Sequence, residues 1–130
     1  MTRAELTAHH DLQRRLNEAR AIYRTLRLEA HPKAQTIDGM PRSTEPGRKV
    51  ENLGLVLADF AGQVEELEKQ VEQSRPAVLE WLTTIEEPTP RAIMSLRVLC
   101  GLPWKRVAEY SKTTVEAARW HYRKITAKLR

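Results

Sequence analysis

Aromatic side chains are scarce in this chain, with three Trp, three Tyr and one Phe among 130 residues. Large interiors draw much of their buried area from such rings, so the sequence favours exposed helices over a thick globular core. Cysteine occurs once, at Cys100, which excludes an internal disulfide and fits a reducing, cytoplasmic setting. The five glycines and seven prolines fall at a few points, the distribution expected of long helices separated by short breaks. No apolar run reaches the ~18–20 residues of a bilayer span, so no membrane partner is expected. The opening Met1-Thr2-Arg3-Ala4-Glu5 lacks the apolar stretch of a secretory leader.

Catalytic and metal-binding patterns are also missing. His9 and His10 are adjacent, His31 precedes a proline, and His121 lies in a basic stretch. None belongs to an HExxH or a Cys/His cluster, and structural roles are expected for all four. Glu65-Glu66-Leu67-Glu68 reads as a solvated helix face, not a catalytic carboxylate pair. With no phosphate-binding glycine loop either, the chain is read as a non-enzyme without a cofactor.

Charge is plentiful and unevenly placed. The net charge is +5. From Pro90 to Arg130 ten Lys or Arg stand against Glu109 and Glu116 alone, a local +8, and the remainder is −3. A basic end on a mildly acidic arm points to a polyanionic partner.

Apolar periodicity supplies the elements. His9, Leu12, Leu16, Ala19, Tyr23, Leu26 and Ala30 alternate spacings of three and four, predicting a first helix over about Ala4 to Ala30. A connector follows over 31–48, rich in proline and glycine and holding Met40-Pro41-Arg42. Val50, Leu53, Leu57, Phe60, Val64, Leu67 and Val71 carry a second seam. Pro76 interrupts it, yet Val78, Trp81 and Ile85 keep its phase, so a kink or a helix restart is expected there. The economical arrangement is an antiparallel hairpin, whose narrow stripe makes the arm a candidate homodimer surface.

Beyond Glu87-Pro88-Thr89-Pro90 three short helices are expected. The first covers about Pro90 to Cys100 and ends at Gly101 in a left-handed conformation. The second runs from Pro103 to about Tyr110. The third is capped by Thr114 and runs from Val115 to about Leu129. Ala118, Tyr122, Ile125 and Leu129 form its inner stripe, packing on the first two short helices. The expected fold is thus all-α: a long antiparallel helical hairpin, or coiled-coil arm, over 1–87, followed by a three-helix helix-turn-helix module over 88–130. Cys100 is expected to be a small buried residue and Trp104 a core residue.

The outer face of the third short helix carries Glu116, Arg119, Trp120, Arg123 and Lys124. A recognition helix needs this division, with one face anchored and the other free for the major groove. Arginine can pair in bidentate fashion with guanine, a contact worth ~1–3 kcal/mol of discrimination. Lys105, Arg106, Lys112 and Lys128 suit phosphate contacts, which position without reading sequence, and Thr114 stands at the helix mouth. Trp120 has three readings, namely base stacking, a polymerase contact and packing on the long helices, with packing favoured.

Gly101 through Tyr110, followed by Thr114 through Leu129, resembles region 4 of sigma-70-type factors. The whole layout, with Met40-Pro41-Arg42 in the linker, is similar to phage-encoded transcription regulators of the ArpU and RinA type. The resemblance implies a phage or prophage transcription regulator that binds double-stranded promoter DNA, with RNA polymerase as a second candidate partner. It departs from sigma factors at Lys112, where a glycine is usual, at Thr113, where an apolar residue is usual, and at Lys105-Arg106, which replace an acidic pair. A phage DNA-packaging protein with a DNA-recognition helix-turn-helix, or a polymerase-binding adaptor, are the alternative functions.

Overall fold

The computed structural model describes the backbone at 1–30 and 46–130 and side chains at 1–29 and 53–130. Met40-Pro41-Arg42 and the side chain of Val50 lie outside the described residues. Among the described residues there are five helices and no strand: α1 (Arg3–Ala30), α2 (Pro46–Leu82), α3 (Pro88–Met94), α4 (Trp104–Ser111) and α5 (Val115–Thr126). Helix α3 runs directly into a π-helical turn, Ser95–Leu99. The two long helices pack against each other as a hairpin, and the three short ones form a small helical module.

Helix α1 opens with a capping box. The Glu5 amide donates to Thr2 Oγ1 at 3.1 Å and the Thr2 amide donates to Glu5 Oε2 at 3.4 Å, so two otherwise orphaned donors are satisfied reciprocally. Helix α2 continues through Pro76, which excludes a restart there and agrees with the continuous path that the unbroken phase favoured. Pro76 and Glu72 are both solvent-exposed, so water can satisfy the carbonyl that proline leaves without a donor.

The contacts divide into two units. The first comprises Met1–Asn17 and Leu67–Arg130, the second Glu18–Glu66. In the first unit α1 and α2 run antiparallel: Leu6 packs with Val78 and Leu82, and His9 Nδ1 pairs with Ser74 Oγ. Helix α3 lies between two small cores. Its Met94, with Val98 of the π turn, joins Leu6, Val78, Leu82 and Ile85. Its Ile93 joins Val107 of α4 and Ala118 of α5. Ile93 and Met94 stand about 100° apart around the helix, so the two cores meet adjacent sides of α3, and full burial of each such side chain contributes about 1.5–3 kcal/mol. The inner stripe of α5 is correspondingly split. Ala118 enters the core of the short helices, whereas Tyr122, Ile125 and Leu129 pack against the core that holds Leu6 and Val78.

In the second unit the seam is thinner. Tyr23 and Leu26 of α1 and Leu53, Leu57, Phe60 and Val64 of α2 are only half-buried. Ile22, Leu28, Leu55 and Val56 are exposed.

Candidate nucleic-acid interface

Three backbone devices set the geometry of α4 and α5. Gly101 has φ +66°, the left-handed value expected at the end of the first short helix, and Pro103 (φ −68°) precedes α4. Lys112 adopts φ 58°, ψ 41° and ends α4, so a lysine takes the left-handed position that glycine would fill without strain. Thr114 is extended, and its Oγ1 accepts from the Ala117 amide at 3.1 Å, capping α5 as expected.

Space at Gly101 is as decisive as its torsion. A Cβ there would lie 2.8 Å from Asn17 Nδ2 and 3.0 Å from Gln13 Cγ. These residues belong to a face of α1 that apolar periodicity did not reveal. Asn17 Nδ2 donates to the Cys100 carbonyl at 2.9 Å, and Gln13 Nε2 donates to Asn17 Oδ1 at 3.0 Å. His10 Nδ1 lies 3.0 Å from the Arg97 carbonyl, which can only accept, so the proton sits on Nδ1. Polar side chains of α1 thus hold the turn that leads into α4. Cys100, expected to be buried, is exposed. Its main chain is engaged instead, the amide donating to the Ser95 carbonyl and the carbonyl accepting from Asn17.

His9 and His10 are buried, and the Nε2 atom of each has no hydrogen-bond partner. Burial holds both below the ordinary histidine range, with Arg75 adding to the effect at His9 and Arg97 and Arg14 at His10. The Arg97 carbonyl and Asp11 oppose it at His10.

The far end of α5 is tied to the start of α1. Arg3 donates from its guanidinium to the Thr126 carbonyl at 3.2 Å and from its amide to the Arg130 carbonyl at 2.9 Å. A cation among the last carbonyls of a helix complements their partial negative charge.

All ten residues singled out in the sequence are exposed: Lys105 and Arg106 on α4, Lys112 in the turn, Thr114 at the cap, Glu116, Arg119, Trp120, Arg123 and Lys124 on α5, and Lys128 just after it. At about 100° per residue, Glu116, Trp120 and Arg123 line the strip opposite buried Ala118. Arg119 flanks that strip on one side, Lys124 and Lys128 on the other. Thr114 has its hydroxyl committed to the cap.

Trp120 keeps 50% of its surface exposed. The Lys124 ammonium stands 4.7 Å from its ring centroid, a cation–π distance, and its edge meets His121 at 5.0 Å. Beside it lies a groove of about 450 Å³ whose lining includes Trp81, Ile85, Trp120, Lys124, Ile125 and Leu129. Trp120 therefore forms part of a groove wall and is not a core residue. Trp104 is half-buried, with the Arg97 guanidinium 4.4 Å from its ring centroid and the Tyr122 ring edge-on at 5.3 Å.

Among the described residues no cluster of His, Cys, Asp or Glu is arranged to hold a metal ion. No described helix is long and apolar enough to cross a membrane. Comparisons with known protein families, curated proteins and solved structures returned no match to this chain.

Proposed function

We propose that the protein is a DNA-binding transcription regulator that reads double-stranded promoter DNA with α5. The observation that carries this reading is the division of that helix. Ala118, Tyr122 and Ile125 anchor it, while Glu116, Arg119, Trp120, Arg123 and Lys124 remain together on its accessible side. An anchored helix with an accessible basic face is the arrangement that major-groove reading needs. The +8 charge of the 90–130 stretch supplies long-range attraction to phosphates. Lys105, Arg106, Lys112 and Lys128 contact the backbone in this reading, and Arg119 and Arg123 read base edges. The resemblance to ArpU- and RinA-type regulators favours a phage or prophage origin for it. RNA polymerase is its second candidate partner.

Binding of defined duplexes by Arg123→Ala tests the assignment. Loss of a base contact relaxes preference at one position, by about 1–3 kcal/mol. Equal weakening on every sequence would instead make Arg123 a phosphate contact.

A second reading draws on the second unit. Exposed Ile22, Leu28, Leu55 and Val56, beside a half-buried seam, favour self-association through the arm, as in a homodimer or in an assembly protein of a DNA-packaging machine. Sedimentation separates these outcomes: a dimer fits the regulator, whereas a ring-sized particle favours packaging.

A further inference from the structure

The charges of the second unit divide by face. Its seam is formed by Ala19, Tyr23 and Leu26 of α1 and by Leu53, Leu57, Phe60 and Val64 of α2. At about 100° per residue, Ile22 and Glu29 lie on one side of the α1 seam, and Arg20, Arg24 and Arg27 on the other. Val56 and Asp59 lie on one side of the α2 seam, Gly54 and Ala58 on the other. All nine of these flanking residues are exposed. Two antiparallel helices are related by a two-fold rotation perpendicular to their common plane, and a rotation preserves the sense of turning about each helix. Ile22 and Glu29 therefore share a face of the arm with Val56 and Asp59, both pairs lying short of their seams in that sense. Arg20, Arg24 and Arg27 share the opposite face with Gly54 and Ala58. Glu18 falls on the first face and Glu65 on the second, so the first is acidic and the second, with three arginines, is basic.

The two faces also differ in relief. Arg20, Tyr23, Arg24, Arg27 and Leu28 line a groove of about 420 Å³. The Arg27 guanidinium stands 5.9 Å from the Tyr23 ring centroid, a contact that holds its stem against the helix. A Cβ at Gly54 would meet nothing within 4 Å, so the α2 half of this face is low. The acidic face presents the branched side chains of Ile22 and Val56 instead, with the carboxylates of Glu29 and Asp59 beside them.

We propose that the arm stacks front to back on a second copy of this chain. Ile22 and Val56 of one copy enter the groove beside Tyr23 and Leu28 of the next, and Glu29 and Asp59 meet Arg24 and Arg27. Burial of the apolar side chains supplies the attraction. The charges, each surface pair contributing little alone, select which faces meet. Because the two faces differ, the contact is heterologous: every copy added leaves one face of each kind open, and growth continues to a closed ring or a filament. This proposal rests on the self-association reading of the arm and is independent of the DNA-binding reading of α5.

The test is sedimentation velocity of the full chain over a concentration series, alongside Arg24→Glu/Arg27→Glu, Glu29→Arg/Asp59→Arg, and an equimolar mixture of these two variants. The unsubstituted chain is expected to grow beyond two copies as concentration rises. Each double variant has two faces of like charge and is expected to stay monomeric where the unsubstituted chain assembles. The mixture is expected to assemble again, because opposite faces then meet in both directions, and this recovery also shows that the variants fold. Particles that stop at two copies, variants that assemble as the unsubstituted chain does, or a mixture that stays monomeric would each overturn the front-to-back contact. Of these, a dimer leaves self-association of the arm standing in another geometry. An unsubstituted chain that is monomeric throughout overturns both.

Discussion

The two units use the same pair of helices to different ends. In the first, Leu6, Val78 and Leu82 are at most 5% exposed and pack with Met94 of α3 and Val98 of the π turn, which cover what a two-helix stripe leaves open. In the second, the seam from Tyr23 to Leu26 and from Leu53 to Val64 has only its partner helix and stays half-exposed. An apolar stripe of given periodicity specifies a helix face in both units. It becomes a core only where a third layer closes over it.

Substitutions at the two ends should break the comparison if it is wrong. Leu6→Ala removes a side chain that is 1% exposed and should cost about 2–5 kcal/mol in urea unfolding. Leu55→Ala, at a site 69% exposed, should stay within about 0.5 kcal/mol. Comparable losses at both sites would mean that the second unit is covered in solution, and a concentration-dependent loss at Leu55 would identify self-association as the cover.

Gly101→Ala probes the joint between α1 and the short helices. The left-handed torsion alone costs an alanine about 1–2 kcal/mol, and the new Cβ must also displace Asn17 and Gln13. Thermal melting of Gly101→Ala and of the double variant Gly101→Ala/Asn17→Ala separates these contributions. If the double variant is no more stable than the two single losses predict, crowding against α1 is absent.

Acid should loosen the first unit selectively. His9 and His10 are held below the ordinary value of about 6.5, so the unfolded chain binds protons more readily than the folded one. Their contribution to stability is complete above pH 6.5 and declines as pH falls below that value towards the folded-state pKa values. Melting temperature against pH should show this decline, flattened in His10→Gln. A profile unchanged by the substitution would rule out proton uptake at His10.

A small effect is also expected at Lys112. Glycine relieves the left-handed strain but adds freedom to the unfolded chain, so Lys112→Gly should shift stability by about 1 kcal/mol or less. A large loss would show that the lysine side chain holds the turn.

Much of this architecture was legible in the residues. The described parts of the two seams, the glycine stop at Gly101 and the Thr114 cap follow from local chemistry and stand where the pattern put them, whereas α2 already begins at Pro46, inside the expected connector over 31–48, and Pro103 precedes α4 where it was expected to open it. The second contact face of α1 was not legible. His10, Gln13 and Asn17 bind the Arg97–Cys100 turn through polar groups, which leave no trace in apolar periodicity. The sharing of α3 between two cores was hidden for a related reason: Ile93 and Met94 are neighbours in sequence, and a period alone assigns an element one inner face. Lys112 takes the left-handed position against its propensity, in a turn closed by local backbone bonds from the Lys112 amide to the Glu109 carbonyl and from the Thr113 amide to the Ala108 carbonyl. The ten outer residues were identifiable as accessible because exposure follows from the same periodicity.

The most direct test of the account is selection of duplexes from a randomised pool by the full chain, with Arg119→Ala/Arg123→Ala selected in parallel. The account predicts a defined motif enriched by the unsubstituted chain and lost in the double variant. Salt-sensitive capture of all sequences alike, or an identical motif from both proteins, would contradict the claim that α5 reads DNA.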